Sequence, residues 1–371
     1  MKILIAITKS EIGGAQVFAL NLARGLKAAG VEVVVAGGPG EYLPAELAKA
    51  AIDFHRLKNL ARSRNPFKNW SFISELKEYV AAAEFDVIHL NSTNALLGVW
   101  SLNRLRPKPR VVFTVHGLSF LDSGYKALGI LKAVYRLFFR AAFKKLDSLV
   151  FVSRLNLEFA LASGLLKGGL EDKSHLIYNG LDLAPDYFLD REEARRELAE
   201  ILKTDFSGSF IYGSIGRLAY PKNYEFLINA HNGVKAIKPN AKLLLIGAGP
   251  ERAKYGSLIK SYRLENEVLL GGEIRDASRY LRAFDLFVLP SVFEGLSLSL
   301  IAAVRAEIPV LASRVGGNEE IIGIENCFTL NDQAGFLRLV ENLGKGETKE
   351  KNQIDFSVAN MIKGYLDVYF R

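Results

Sequence analysis

The residues with chemical potential gather in a few short turns. Arg217 and Lys222 lie in GRLAYPKN (216–223), directly after an apolar run and before NYEFLINAH. Pro221 near a first helical turn makes Lys222 a helix-start residue. A guanidinium fork, an ammonium point charge and a helix N-terminus meeting in one turn can neutralise a diphosphate without a metal. The competing reading is two solvated surface cations. Glu294 sits in SVFEGLS (291–297), where its carboxylate can accept hydrogen bonds from sugar hydroxyls beside the free amides of a helix start. Equally, Ser291 and Glu294 have the spacing of a capping box, with Ser291 as N-cap and Glu294 reaching back. His116 follows RVVFTV (110–115), and Asn91 holds the same place after DVIHL (86–90). A lone histidine there is either structural or poised toward a ligand.

Three glycine turns complete the set: Gly13-Gly14-Ala15, Gly247-Ala248-Gly249 and Gly316-Gly317-Asn318. Glycine lets the backbone approach a ligand and a helix start favours an anion, but a simple tight turn explains each equally well. No turn carries the full G-x-G-x-x-G dinucleotide fingerprint, which argues against a Rossmann dehydrogenase. His55, His89, His175 and His231 have no metal-ligand spacing, His89 falls inside a strand as a core residue, and the chain holds no Asp-x-Asp pair. No metal and no cofactor are therefore expected.

Parallel strands must carry these turns. Short β-branched runs at 3–7, 31–38, 86–90, 110–115 and 148–153 alternate with amphipathic stretches, and the pattern restarts at 209–217, 241–249, 267–272, 285–291 and 308–313. Near-continuous apolar runs of this kind are buried on both faces of a parallel sheet. The expectation is an α/β chain with two doubly wound sheets, whose ligands bind outside the carboxyl ends of the strands. The segment from Asp182 to Ser209 is polar and lacks a strand-like run, which places a boundary near Gly180. In 356–371, Phe356, Met361, Tyr365 and Tyr369 recur at helical spacing, so the chain should end in an amphipathic helix.

At 371 residues, two domains are the simplest division. Hydrophobic residues at 49% and charged residues at 24% exclude a disordered or fibrous chain. One cysteine, Cys327, allows no internal disulfide and suits a reducing compartment. Lys plus Arg at 48 against Asp plus Glu at 40 leaves +8, an excess that favours an anionic partner. The opening run Ile3 to Ile7 is shorter than a signal-peptide core, so export is not expected.

Taken in order, these turns resemble the family 4 (group 1) glycosyltransferases of the GT-B fold. The residues that carry the likeness are GGAQ (13–16), DVIHLNS (86–92), VVFTVHG (111–117), YNGLD (178–182), GRLAYPKN (216–223), LLLIGAGPER (243–252), DLFVLPSVFEGLSLSL (285–300), PVLASRVGGNEEII (309–322) and the closing helix. The resemblance implies two Rossmann-like domains facing across a cleft: 1–179, on the acceptor side and joined by a returning helix at 357–371, and 180–356, which holds the donor. It implies sugar transfer from a nucleotide sugar to a saccharide or lipid-linked acceptor, with retention, in cell-surface polysaccharide or glycolipid synthesis.

By the same resemblance, Arg217 and Lys222 grip the donor diphosphate, Glu294 binds donor-sugar hydroxyls, and His116 faces the donor sugar. Gly13, Gly14, Gly216, Gly249, Ile274, Gly295, Ser297 and Leu298 join the donor contacts, the last two through backbone amides. One position departs from the pattern. Eight residues after Glu294 stands Ala302, where the family has a second glutamate for the ribose diol. Glu307 cannot replace it, because five residues on a helix turn the side chain by ~140°, away from the site. Losing a charged hydrogen bond of that kind costs ~1.5–3 kcal/mol, or roughly ten- to a hundredfold in donor affinity. Three outcomes follow from that change: an active enzyme with weaker or altered nucleotide contact, an unusual donor, or a degenerate sugar-binding pseudoenzyme; another GT-B chemistry, such as a nucleotide-sugar epimerase or sugar synthase, is the separate alternative.

Two basic segments remain. Arg56, Lys58, Arg62, Arg64 and Lys68 fall between Phe54 and Ser74 with no acid among them, and with Asn91 they are assigned to the acceptor side. From Tyr125 to Lys145, Lys132, Arg136, Arg140 and Lys144 recur every fourth residue, with Leu131, Val134, Phe138 and Ala142 on another face. That helix either lies on an acidic leaflet or packs its apolar face on the domain's own sheet. The expected partners are a nucleotide sugar, a saccharide or polyprenyl-linked acceptor and a membrane surface, without nucleic acid. The expected location is the cytoplasm, with contact at the inner membrane face.

Overall fold

The computed structural model describes residues 1–60, 66–118, 129–343 and 354–371. Its chain divides into two compact units, Met1–Leu181 with Asp355–Arg371, and Asp182–Ile354.

The first unit is built on seven strands: β1 (Lys2–Ile7), β2 (Glu32–Gly37), β3 (Asp53–Arg56), β4 (Val87–Leu90), β5 (Arg110–Val115), β6 (Ser148–Phe151) and β7 (Ser174–Leu176). They are parallel in the order β3-β2-β1-β4-β5-β6-β7. Its central strands β1 and β4 are almost wholly buried, because helices cover both sheet faces. One face packs Phe72, Leu76 and Phe143 around Leu4 and Ile88; the other packs Phe18, Leu22 and Tyr365 around Ile3 and Ile5.

The second unit repeats the plan with β8 (Phe210–Ile215), β9 (Ala241–Ile246), β10 (Val268–Gly272), β11 (Leu286–Leu289), β12 (Val310–Ser313) and β13 (Cys327–Phe328), ordered β10-β9-β8-β11-β12-β13. The polar 182–209 segment is not a bare linker. Asp190 caps a helix at Arg191–Leu202, and Ala194 and Leu198 bury against Tyr280, Ala283 and Phe284.

The last helix, Val358–Phe370, starts at the N-cap Ser357 and buries Met361, Ile362, Tyr365, Val368 and Tyr369 in the first unit. It crosses the Gly14–Ala28 helix closely at Gly25, where a Cβ would come within 2.4 Å of the Ile362 side chain. Only glycine leaves room for that crossing. A buried polar chain then secures the returning helix to the sheet: Thr114 Oγ1 lies 2.8 Å from Tyr365 OH and 2.7 Å from His89 Nε2, and Tyr369 OH lies 2.7 Å from His89 Nδ1. Burial, followed by the field of His116, pushes the His89 pKa down to about 3.

Three strands have no counterpart in the expected runs: β3, β7 and β13. Each is an edge strand of two to four residues. An edge position buries less of the chain, so sequences such as DFHR and SHL lack the continuous apolar signature of the central strands.

Candidate active site

Both sheets reverse strand order once, between β1 and β4 and between β8 and β11. Loops leaving the carboxyl ends of such a pair diverge and open a crevice. The loops after β8 and β11 carry Gly216, Arg217, Lys222 and Ser291 to Ser297; the loops after β1 and β4 carry Gly13, Gly14 and Asn91. Turns scattered over the sequence thus meet at two switch points, one in each unit.

In the second unit the crevice is charged. Lys222 Nζ pairs with Glu294 Oε1 at 2.8 Å, and Ser291 Oγ donates to the same oxygen at 2.6 Å. Burial works to lower the Lys222 pKa, but the Glu294 carboxylate, Tyr224 and the direct hydrogen bond leave it raised, so the ammonium is held charged. Arg217 is exposed, and its guanidinium has no hydrogen-bond or ion-pair partner among the described residues.

Backbone contacts lock the loops together: Val292 N donates to Pro221 O at 2.9 Å and Gly317 N to Gly295 O at 2.8 Å. Gly316 adopts a φ of 52°, and a Cβ there would stand 2.1 Å from the Glu294 carbonyl. Glycine at 316 therefore lets the third turn seat against the Glu294 loop. Gly249 presses equally closely on the Leu218 carbonyl, while Ile274 packs its side chain on the Phe206–Phe284 cluster.

Three local expectations are corrected. Ser291 is not an N-cap: the helix runs from Leu298 to Arg305 and its cap is Ser297, whose Oγ accepts from Leu300 N. The Ser291–Glu294 bond lies in the preceding loop and orients the carboxylate toward Lys222. Lys222 itself precedes the helix, which starts at Tyr224 behind Asn223 in the left-handed region. Glu307 is not on the Leu298–Arg305 helix at all; it follows the C-cap Ala306 with a φ of 60°, so helical rotation says nothing about its direction. Ala302 lies within that helix at 2% exposure.

In the first unit the charged groups of the loop after β1, Lys9 and Glu11, pair with each other at 2.9 Å, and the groups beside His116 are uncharged. Gly13 is the N-cap of the Gly14–Ala28 helix, and a Cβ at Gly14 would meet nothing within 4 Å. His116 Nε2 lies 3.2 Å from Asn91 Oδ1, and Phe18 meets the imidazole edge-on at 4.7 Å. Asn91 Nδ2 donates to the His89 carbonyl at 3.2 Å, so Oδ1 is the acceptor and His116 Nε2 carries the proton. Nδ1 is left as an acceptor, and burial lowers the imidazole pKa to about 4. Proximity of Asn91 to His116 was not foreseen; their equivalent places after neighbouring strands were the available signal.

Arg62 and Arg64 lie outside the described residues. Arg56, from the same basic segment, pairs with Glu41 at 2.9 Å. Among the described residues no group of His, Cys, Asp and Glu side chains is arranged to hold a metal ion.

An α/β chain of two such sheets, with charged loops at one switch point, has the GT-B glycosyltransferase fold. The solved structure of Anabaena HepE with UDP and glucose shares it, with a TM-score of 0.78 at 19% identity over 99% of this chain and 98% of that one. Residues 12–185 match Glycosyltransferase Family 4 and residues 197–355 match Glycosyl transferases group 1. The chain belongs to this family of nucleotide-sugar-dependent glycosyltransferases. It is 26% identical to an Escherichia coli UDP-Gal:alpha-D-GlcNAc-diphosphoundecaprenol alpha-1,3-galactosyltransferase over 75% of this chain and 68% of the relative. It is 30% identical to a Campylobacter jejuni N-acetylgalactosaminyltransferase acting on a diphospho-undecaprenol-linked saccharide, over 47% and 46% of the two chains.

Proposed function

We propose that this glycosyltransferase moves a hexose-type sugar, with retention, from a nucleoside diphosphate sugar to a saccharide carried on a polyprenyl diphosphate, in polysaccharide synthesis. The observation that supports it most is the Ser291–Glu294–Lys222 cluster beside the open guanidinium of Arg217. Breaking a glycosyl–phosphate bond leaves positive charge on the sugar and new negative charge on the diphosphate. Fixed cations aimed at that charge lower the barrier more than any other single device. In this reading Lys222 and Arg217 stabilise the leaving diphosphate and no metal is required. Glu294, already turned by Ser291, accepts hydrogen bonds from the sugar hydroxyls. Gly216, Gly249, Gly295, Ile274 and the amides at Ser297 and Leu298 line the donor position.

Within the first unit, the Gly13–Gly14 turn suits a phosphate and the neutral His116 offers Nδ1 to a sugar hydroxyl. Asn91 holds the tautomer that makes this possible. The acceptor class follows the relatives named above, both of which act on diphosphoundecaprenol-linked saccharides. Ala302 favours a weaker or altered ribose contact.

A panel of UDP, GDP and ADP sugars, incubated with polyprenyl-linked saccharides extracted from membranes, tests the proposal, with the anomeric configuration of the product read by NMR. Transfer with retention is the expected result. Donor hydrolysis or epimerisation without transfer overturns it, and so does the absence of binding by any donor at millimolar concentration.

A further inference from the structure

Three fully buried polar side chains of the second unit stand behind the Lys222–Glu294 pair: Ser291, Ser313 and Asn318. They form one hydrogen-bonded line. Asn318 Nδ2 donates to the Ser313 carbonyl at 3.0 Å, and Ser313 Oγ donates to the Ser291 carbonyl at 2.5 Å. Ser291 Oγ then donates to Glu294 Oε1, the same oxygen that receives Lys222.

The sequence explains why a side chain is needed there. Strands β11 and β12 run in parallel register, with Leu289 beside Ala312. One step further, Pro290 stands level with Ser313, and proline has no N–H to carry the ladder on. The Ser313 hydroxyl takes over. It lies 3.4 Å from the Leu289 carbonyl, the last of the strand, but 2.5 Å from that of Ser291, and its single hydrogen goes to the shorter contact. Sealing the strand end would require only Leu289, whereas the bond to Ser291 acts on the loop.

Its effect is on direction. The peptide between Ser291 and Val292 is held at both ends, its carbonyl by Ser313 and its N–H by the Pro221 carbonyl at 2.9 Å. The preceding peptide is held at the Pro290 carbonyl by Asn223 Nδ2 at 3.1 Å, from the residue next to Lys222. With both flanking peptides fixed, the backbone of Ser291 is fixed, and staggered rotamers leave its Oγ few directions. It points at the Glu294 carboxylate. Small apolar residues would fill these buried positions with no polar group to satisfy, so packing alone does not call for such a line.

We infer that Ser313 is a positioning residue for sugar transfer: acting through Ser291, it aims the Glu294 carboxylate and so seats the Lys222 ammonium, while Asn318 steadies Ser313 from the third glycine turn. The inference rests on the reading of Glu294 and Lys222 as donor groups; the hydrogen-bonded line itself does not.

Kinetics of Ser313→Ala in the full chain, with donor and acceptor varied separately, test it. The expected result is a kcat lower by about tenfold with donor KM changed by less than about twofold, because a small misplacement costs rate more than binding. In a Ser291→Ala background the same change should cost less than about twofold more, since the link it acts through is already gone. A readout independent of activity is the NMR signal of the Lys222 ammonium in isotope-labelled protein, assigned by its loss in Lys222→Arg; it should shift or broaden in Ser313→Ala. Ser313→Cys, close in volume and a weaker donor, takes the place of the alanine variant if that one does not fold, with the same expectations. An unchanged kcat with only a lower melting temperature overturns the inference. So does a full additional loss in the Ser291→Ala background, and so does an unmoved Lys222 signal. A wild-type chain that transfers no sugar, but whose Lys222 signal still depends on Ser313, sinks the transferase reading and supports the positioning line.

Discussion

The two switch points share one topology and differ in what surrounds their ion pairs. Between β8 and β11, an ammonium, a carboxylate and an open guanidinium occupy neighbouring loops. Between β1 and β4 and on the loop beyond β5, Lys9 and Glu11 pair with each other, and the groups around His116 are a neutral imidazole, an amide and glycine backbone, backed by Phe18 and the buried His89–Thr114–Tyr365 chain. The sheet therefore supplies the place, and the loops choose the chemistry. In the proposed reading, charge that develops during sugar transfer falls to the second unit's cations. Orientation without charge belongs to the first.

The sharpest way to break that contrast is to remove one charge and one neutral group and compare. Lys222→Ala should lower kcat by roughly 10²–10³-fold, the usual cost of deleting one preorganised group that stabilises transition-state charge. His116→Ala should cost less, about two- to tenfold, the loss of one neutral hydrogen bond. Steady-state kinetics with a fixed donor decide it, and equal losses would erase the distinction.

Ala302→Glu probes the second unit alone. Restoring the carboxylate should tighten donor binding about tenfold or more, measured by titration calorimetry. An unchanged affinity would show that Ala302 does not face the ribose.

Acid should separate the units as well. The folded-state pKa values of His89 and His116 lie near 3 and 4, below the ordinary 6.5, so the unfolded chain binds more protons between those limits. Stability of the first unit is thus present above pH 6.5 and is lost as pH falls toward 4, by up to ~1.4 kcal/mol per pH unit for each imidazole. Hydrogen exchange followed by mass spectrometry at pH 7 and pH 5 should show the returning helix and β4 loosening. A first unit equally protected at both values would refute the assignment of neutral buried imidazoles.

The smallest expected effect is Gly14→Ala. A Cβ there meets open space within a helix, so stability should rise by ~0.5–1 kcal/mol. If the turn approaches the diphosphate, activity should nevertheless fall a few-fold; a more stable and fully active variant would return Gly14 to an ordinary helix start.

Much of this was legible in the chain. Central strands announce themselves because burial on both faces demands apolar residues throughout, and glycine turns announce themselves because few other residues fit there. The edge strands β3, β7 and β13 were not legible, since edge positions bury less. Nor was the helix start at Leu298: Ser-x-x-Glu at 291–294 and Ser297 before LSLIAAVRA are both good caps, and only the path of the loop selects between them.

By itself, the sequence determined the order and type of the central strands and the returning helix, the residues available at each turn and the alanine at 302, because these follow from local pattern and identity. Which of those residues meet was a tertiary decision. Asn91 and His116 are 25 positions apart, and Lys222 and Glu294 are 72 apart. Strand order brings such pairs within hydrogen-bond reach. The Gly129–Phe143 helix was decided the same way: Phe139, Ala142 and Phe143 bury against the first sheet while Leu131 and Val134 of the expected apolar face stay exposed. Amphipathic spacing shows that a helix has an apolar face but cannot say how much of it the sheet will cover.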